Sequence, residues 1–288
     1  MTNSKKDLLN KIDKNLTQIK EKNPLTHCIT NSVTINDCAN AVLAIGGSPF
    51  MAEDAEELAE VVTIADVLVI NIGKLSKEQI NSMHVSAKVA NETKTPIVLD
   101  PVGVGVTQLR NKTTLDLINN YDIAAIRGNI SEIKSIAKLV GVIDENNTAK
   151  GVDVNIDDII TEENLSANGE IIKELANKLS TTILASGPID ILSDGTTTIA
   201  IDNGDDMMPL ITGSGCMLSS IVGTCIGGST PLEGTLIAIL AMNLAGEKAR
   251  AKVEEKDEGT GSFRTYLIDY LYKTNVESLV NESNIEIL

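Results

Sequence analysis

Met208-Pro209-Leu210-Ile211-Thr212-Gly213-Ser214-Gly215-Cys216-Met217-Leu218-Ser219-Ser220 is the stretch from which the rest of the chain is read. It begins apolar, passes through a small-residue turn and continues into Cys216–Gly228, which reads as a buried helix. Gly213 and Gly215 let the backbone approach a ligand with no side chain in the way. The start of the following helix offers unpaired N–H groups and the positive end of its dipole to an anion. Cys216 falls in the first turn, where the same field is expected to favour thiolate over thiol. A phosphate cradle with an ionisable group at its lip suits phosphoryl transfer. The plain alternative is a glycine-rich strand-to-helix turn with a buried cysteine, and this stretch alone leaves both open.

Outward from that turn, 288 residues with 42% hydrophobic content can bury a substantial core. A net charge of −16 counts against nucleic acid and anionic membranes as partners, since both need clustered Lys and Arg. A bound polyphosphate would therefore draw its positive field locally, from a metal, a helix end and a few basic side chains. No apolar run is long enough to span a bilayer, and Thr2–Asp7 is polar rather than signal-like. Four cysteines without a C-x-x-C pair fit a reducing cytosol better than a zinc site or a disulfide framework. A cytoplasmic protein is expected. With no Trp and two Phe, packing rests on Leu, Ile, Val and Ala, which suits strands covered on both faces.

Leu8, Leu9, Ile12, Leu16 and Ile19 fall at helical spacing and predict an amphipathic N-terminal helix, stopped at Asn23-Pro24. Strands are expected at Leu25–Ile29, Ser48–Ala52, Val67–Ile72, Pro96–Leu99, Ile123–Ile126 and Thr182–Ala185. Between and around them, helices are expected at Val33–Ile45, Glu53–Ala65, Lys77–Glu92, Leu109–Asn119, Ser131–Leu139 and Leu165–Leu179. Ile189–Leu192 and Thr197–Ile201, joined across Asp194-Gly195, carry a hairpin signal. Helices Leu232–Val253 and Tyr266–Thr274 follow the central turn, and Gly141–Glu163 reads as a polar surface excursion. This alternation predicts a single α/β domain over 1–288, with a mostly parallel sheet finished by an antiparallel edge.

In such a fold a ligand lies beyond the carboxyl ends of the strands. The loops leaving those ends carry Asp100 with Gly103 and Gly105, then Arg127, Glu132 and the Gly213–Cys216 cradle. Two carboxylates, a basic clamp and an anion cradle are the parts of a metal-assisted phosphoryl-transfer site. Asp100 ends a buried strand and is placed near the metal, against the alternative of a turn cap before Pro101. Glu132 is placed in the same shell, against the alternative of a first-turn carboxylate held by the helix dipole. Arg127 reads as a phosphate clamp.

The order and wording of these pieces resemble the hydroxyethylthiazole kinase family of thiamine biosynthesis and salvage. They run from Asn23-Pro24-Leu25-Thr26-His27-Cys28-Ile29-Thr30-Asn31 through Asn36–Asn40 and Gly46–Ala52 to Leu99–Gly105, Arg127–Glu132 and Thr212–Leu218. The family's usual T-G-T-G-C appears as Thr212-Gly213-Ser214-Gly215-Cys216, a change that keeps the hydroxyl. The resemblance implies a ribokinase-like three-layer α/β/α sandwich. It implies ATP-dependent, Mg²⁺-assisted phosphorylation of the hydroxyl of hydroxyethylthiazole, in a homotrimer with active sites between subunits. It also implies Met51 and Gly213 as substrate-binding, Arg127 and Ser186 as ATP-binding, and Cys216 as catalytic. Rival readings are a nucleotide-dependent dehydratase of damaged nicotinamide cofactors on the same fold and a cysteine-dependent hydrolase or acyltransferase. A non-catalytic nucleotide sensor is the third. The hydrolase needs a general base, and only His27 and His84 exist.

Overall fold

Cys28 and Ile29, neighbours on strand β1 (Leu25–Ile29), face two different cores. The same split recurs along the chain in a computed structural model that describes residues 3–143 and 159–288. Val67 and Val69 of β3 (Val67–Asn71) join one apolar cluster, and Leu68 and Ile70 the other. Val98 of β4 (Ile97–Asp100) separates from Ile97 and Leu99, and Leu184 of β6 (Thr182–Ser186) from Ile183 and Ala185. Successive side chains on a strand point to opposite faces, so continuous apolar runs demand a cover on each side.

The covers are helical. One face carries α1 (Asn3–Lys22), α2 (Ile35–Ile45), α8 (Ser214–Gly227), α9 (Pro231–Lys256), α10 (Thr260–Tyr272) and α11 (Val276–Asn281). The other carries α3 (Leu58–Ile64), α4 (Lys77–Thr93), α5 (Gln108–Asn120), α6 (Ile130–Leu139) and α7 (Leu165–Leu179). The remaining strands are β2 (Ser48–Phe50), β5 (Ala125–Asn129), β7 (Asp190–Ser193), β8 (Thr198–Ile201) and β9 (Ile285–Ile287). They complete a nine-stranded sheet in the order β2-β1-β3-β4-β5-β6-β7-β8-β9. Neighbours from β2 to β6 run parallel and those from β6 to β9 antiparallel. The result is the expected three-layer α/β/α sandwich.

Two features of this topology create the site. The chain leaves β1 through α2 on one face toward β2, and leaves β3 through α4 on the opposite face toward β4. Divergence at adjacent strands opens a crevice beyond their carboxyl ends. Helix α8, apolar and buried along nearly its whole length, packs across β1, β3 and β4 and brings its N-terminus to that crevice.

Local differences from the expected elements have local causes. The helix expected from Glu53 starts at Leu58, because Asp54 first closes a turn by accepting the Glu56 N–H on Oδ1 (3.0 Å) and the Glu57 N–H on its carbonyl (3.1 Å). Helix α10 begins six residues before the expected Tyr266, at Thr260, and ends at Tyr272. The chain then adds α11 and β9, whose register pairs Ile199 with Ile287. Of the excursion at Gly141–Glu163, residues 144–158 lie outside those described; Ile143 packs on the second core and Ile160 is buried within it. No helix among the described residues is long and apolar enough to cross a membrane.

Candidate active site

Gly213 caps α8 with φ 88°, a left-handed conformation that favours glycine, and a Cβ there would strike Thr34 Cγ2. Two residues on, a Cβ at Gly215 would strike the Arg127 guanidinium. Both glycines therefore serve close approach, one to the loop before α2 and one to the β5 arginine. Cys216 follows, half-buried, and its Sγ accepts from Asn31 Nδ2 at 3.4 Å and Asn71 Nδ2 at 3.2 Å. The expectation of a resting thiolate is overturned. Burial pushes the Cys216 thiol above its ordinary value and the Asp100 charge adds to it, outweighing hydrogen bonds from Thr34, Asn71 and Asn31. Cys28 and Cys225 are pushed up to about 12 and Cys38 to about 11 by burial, as thiols of the core.

Asp100 ends β4 and is buried. Its Oδ2 accepts from Asn71 Nδ2 (2.6 Å) and from the Ser219 hydroxyl (2.8 Å), while its Oδ1 is buried without a hydrogen-bond partner. Burial pushes the carboxyl up to about 6, with Arg127 pulling it down and Glu132 pushing it up. An orphaned carboxylate oxygen beside a phosphate cradle fits a hard divalent cation, met directly or through water. Among the described residues no three His, Cys, Asp or Glu side chains gather as a cage. A cation here would take further ligands from bound phosphates.

Glu132 stands in the first turn of α6, and its two oxygens both hold backbone. Oε1 accepts the Gly103 N–H (2.7 Å), and Oε2 accepts the Asn129 N–H (2.8 Å) within a capping box. It ties the loop after β4 to the start of α6. Arg127 Nη2 donates to Ser186 Oγ (2.7 Å), bridging β5 and β6, and its Nε is buried without a partner. Asp100, Glu132, Arg127, Ser186, Gly213 and Cys216 all line one cavity of about 730 Å³, a volume that suits a nucleotide with a small second substrate. Met51 does not: it follows β2 at the sheet edge, half-buried against the first core.

Several participants escape the reading of the chain by residue type. Asn31 and Asn71 stand at the ends of β1 and β3, where position marks them but an amide carries no signal of its own. Ser219 lies one helical turn beyond Cys216 and so reaches the same cluster. Asp190, buried in the cavity wall and pushed up to about 6 by burial, is held by Asn243 Nδ2 (2.7 Å) and the Gly187 N–H (3.0 Å). Neither histidine pairs with Cys216: His27 Nε2 bonds the Ala52 carbonyl (2.9 Å), and His84 the Tyr121 hydroxyl (3.1 Å).

Comparison with known proteins fits this geometry. The model of the hydroxyethylthiazole kinase family matches residues 16–277. The chain is 69% identical over 288 residues to the hydroxyethylthiazole kinase of Methanobrevibacter smithii, covering 100% of each. It is similar to the solved structure of hydroxyethylthiazole kinase protein from Pyrococcus horikoshii OT3, with TM-score 0.83, 33% identity, and coverage of 97% of this chain and 99% of that one. A ribokinase-like superfamily protein from Enterococcus faecalis shares the fold alone, at TM-score 0.56 and 14% identity over 90% of this chain and 88% of that one. With the family model spanning the cradle, the strand-end carboxylate and the arginine clamp, this chain belongs to the hydroxyethylthiazole kinase family.

Proposed function

We propose that this protein moves the γ-phosphoryl group of ATP to the primary hydroxyl of hydroxyethylthiazole, a step in making or salvaging thiamine. The observation that carries the reading is the convergence of Cys216, Asp100 and the Arg127–Ser186 pair on one cavity at the mouth of α8, in a member of this family. The whole chain works as one kinase domain in the cytoplasm.

Each residue then has a task. The backbone N–H groups from Gly213 to Cys216, at the positive end of α8, cradle phosphate. Arg127, oriented by Ser186, spreads its charge over the phosphate oxygens, in a chain whose net charge is −16. Asp100, through its unpartnered Oδ1, would hold the metal, and Glu132, which fixes the adjoining loop, would belong to its outer shell. Mg²⁺, when bound, neutralises charge on the transferring phosphates. Cys216 guides the substrate hydroxyl; its raised thiol must first give its own proton to solvent, after which the sulfur takes the substrate's proton late in transfer. Gly213 shapes the alcohol side of the cradle.

Met51 belongs to the thiazole pocket of a neighbouring subunit in a homotrimer. Its absence from the cavity lining of its own chain, and exposed Phe50 and Val33 on the β2 and α2 side, support that reading. Light scattering on active enzyme should give three times the chain mass; an active monomer at assay concentration would remove the trimer. The hydrolase reading loses support because Asn31 and Asn71, not a histidine, face Cys216. Purified protein with ATP, Mg²⁺ and the thiazole alcohol is expected to yield ADP and a phosphorylated thiazole. Unchanged alcohol, with turnover of a hydrated nicotinamide cofactor instead, would favour the dehydratase.

A further inference from the structure

Asn71 spends both amide hydrogens on two different functional groups. Its Nδ2 donates to Asp100 Oδ2 at 2.6 Å and to Cys216 Sγ at 3.2 Å. A primary amide has two donors, so none is left over. The amide also cannot turn around. Its Oδ1 accepts the Gly73 N–H at 2.8 Å and Asn31 Nδ2 at 3.4 Å, and a flip would set that oxygen against a carboxylate and a sulfur. The loop that supplies Gly73 is itself clamped, since Arg110 donates to the carbonyls of Ile72 (2.7 Å) and Gly73 (3.0 Å). Asn71 is buried, which removes water as a substitute partner.

We infer that Asn71 is a positioning residue that fixes the Cys216 sulfur to the Asp100 carboxylate through one amide. The group that receives the substrate's proton and the group that faces the phosphates thereby keep one separation and one orientation. Two amides donating to Sγ also turn the thiol hydrogen away from themselves into the sulfur's remaining direction, which faces the substrate hydroxyl as an acceptor once that hydrogen has left. Asp100 keeps its other donor, Ser219, so loss of Asn71 loosens the carboxylate but chiefly frees the sulfur. The inference rests on the kinase reading of Cys216 and Asp100.

The test is a double-mutant cycle on the full-length enzyme. Asn71→Leu, close in size but without donors, should lower kcat about tenfold to a hundredfold, the range for a hydrogen bond to a charged group, with the ATP KM within about twofold of wild type. On a Cys216→Ala background the same substitution should cost less than about threefold, since most of its effect passes through the sulfur. A full, additive loss on that background, or a loss confined to the ATP KM, would overturn the inference. Asn71→Ser, smaller and unable to reach both partners, reads the same cycle if Asn71→Leu does not fold. Failure of the underlying reading looks different: Cys216→Ala alone would then leave kcat unchanged.

Discussion

Cys216→Ala lowers kcat by roughly 10²–10⁴-fold, the span a general base commands, and leaves the ATP Kd nearly unchanged. Phosphoryl transfer through a loose transition state asks mostly for positioning and charge stabilisation, so the loss has a ceiling. Binding survives because the Gly213–Gly215 backbone and the Arg127–Ser186 pair do not depend on the sulfur. Cys216→Asp retains substantial activity: a carboxylate at the same helix start meets the same Asn31 and Asn71 donors and accepts the same proton. Steady-state kinetics with an independent ATP titration separates the two effects. Equal failure of the Ala and Asp variants would point to sulfur chemistry in place of proton transfer.

Asp100→Asn lowers turnover by on the order of 10²-fold or more and raises the Mg²⁺ concentration needed for half-maximal rate. The amide keeps the shape and can still accept from Asn71 or Ser219, so the fold is preserved while the charge at Oδ1 is lost. The pH dependence has a definite sign. Burial pushes Asp100 up to about 6, so the carboxylate dominates above that value and the neutral acid below it. The Mg²⁺ requirement of the wild type therefore climbs as pH falls through about 6, whereas Asp100→Asn shows no such step. Mg²⁺ titrations across that range decide the matter, and identical profiles for the two proteins would remove Asp100 from the metal site.

Much of this site is legible along the chain, for physical reasons that differ by residue. Asp100 and Arg127 can be read because continuous apolar runs such as Val67–Ile70 announce parallel strands, and chemistry gathers at their ends. Helix α7 is expected and found at Leu165–Leu179, since its periodicity is long and undisturbed. The three-residue β9 is too short for any period to show, and its pairing with β8 is decided by tertiary contact. Asn31 and Asn71 lie 185 and 145 residues from Cys216, beyond the reach of any local pattern. The resting thiol is missed because a helix start is visible in sequence whereas the depth at which it is buried is not. Met51 enters through family resemblance alone; its own surroundings are those of an edge-strand methionine against the core.

The path of the phosphoryl group tests the role of Cys216 most directly. Enzyme is mixed rapidly with Mg²⁺ and ATP labelled in its γ-phosphate, first without the thiazole alcohol and then with it. Direct transfer predicts unlabelled protein in the first phase and label appearing only in the phosphorylated thiazole within one turnover of adding the alcohol. A phosphocysteine at Cys216, formed with ATP alone and chased into product at the rate of turnover, would contradict the account.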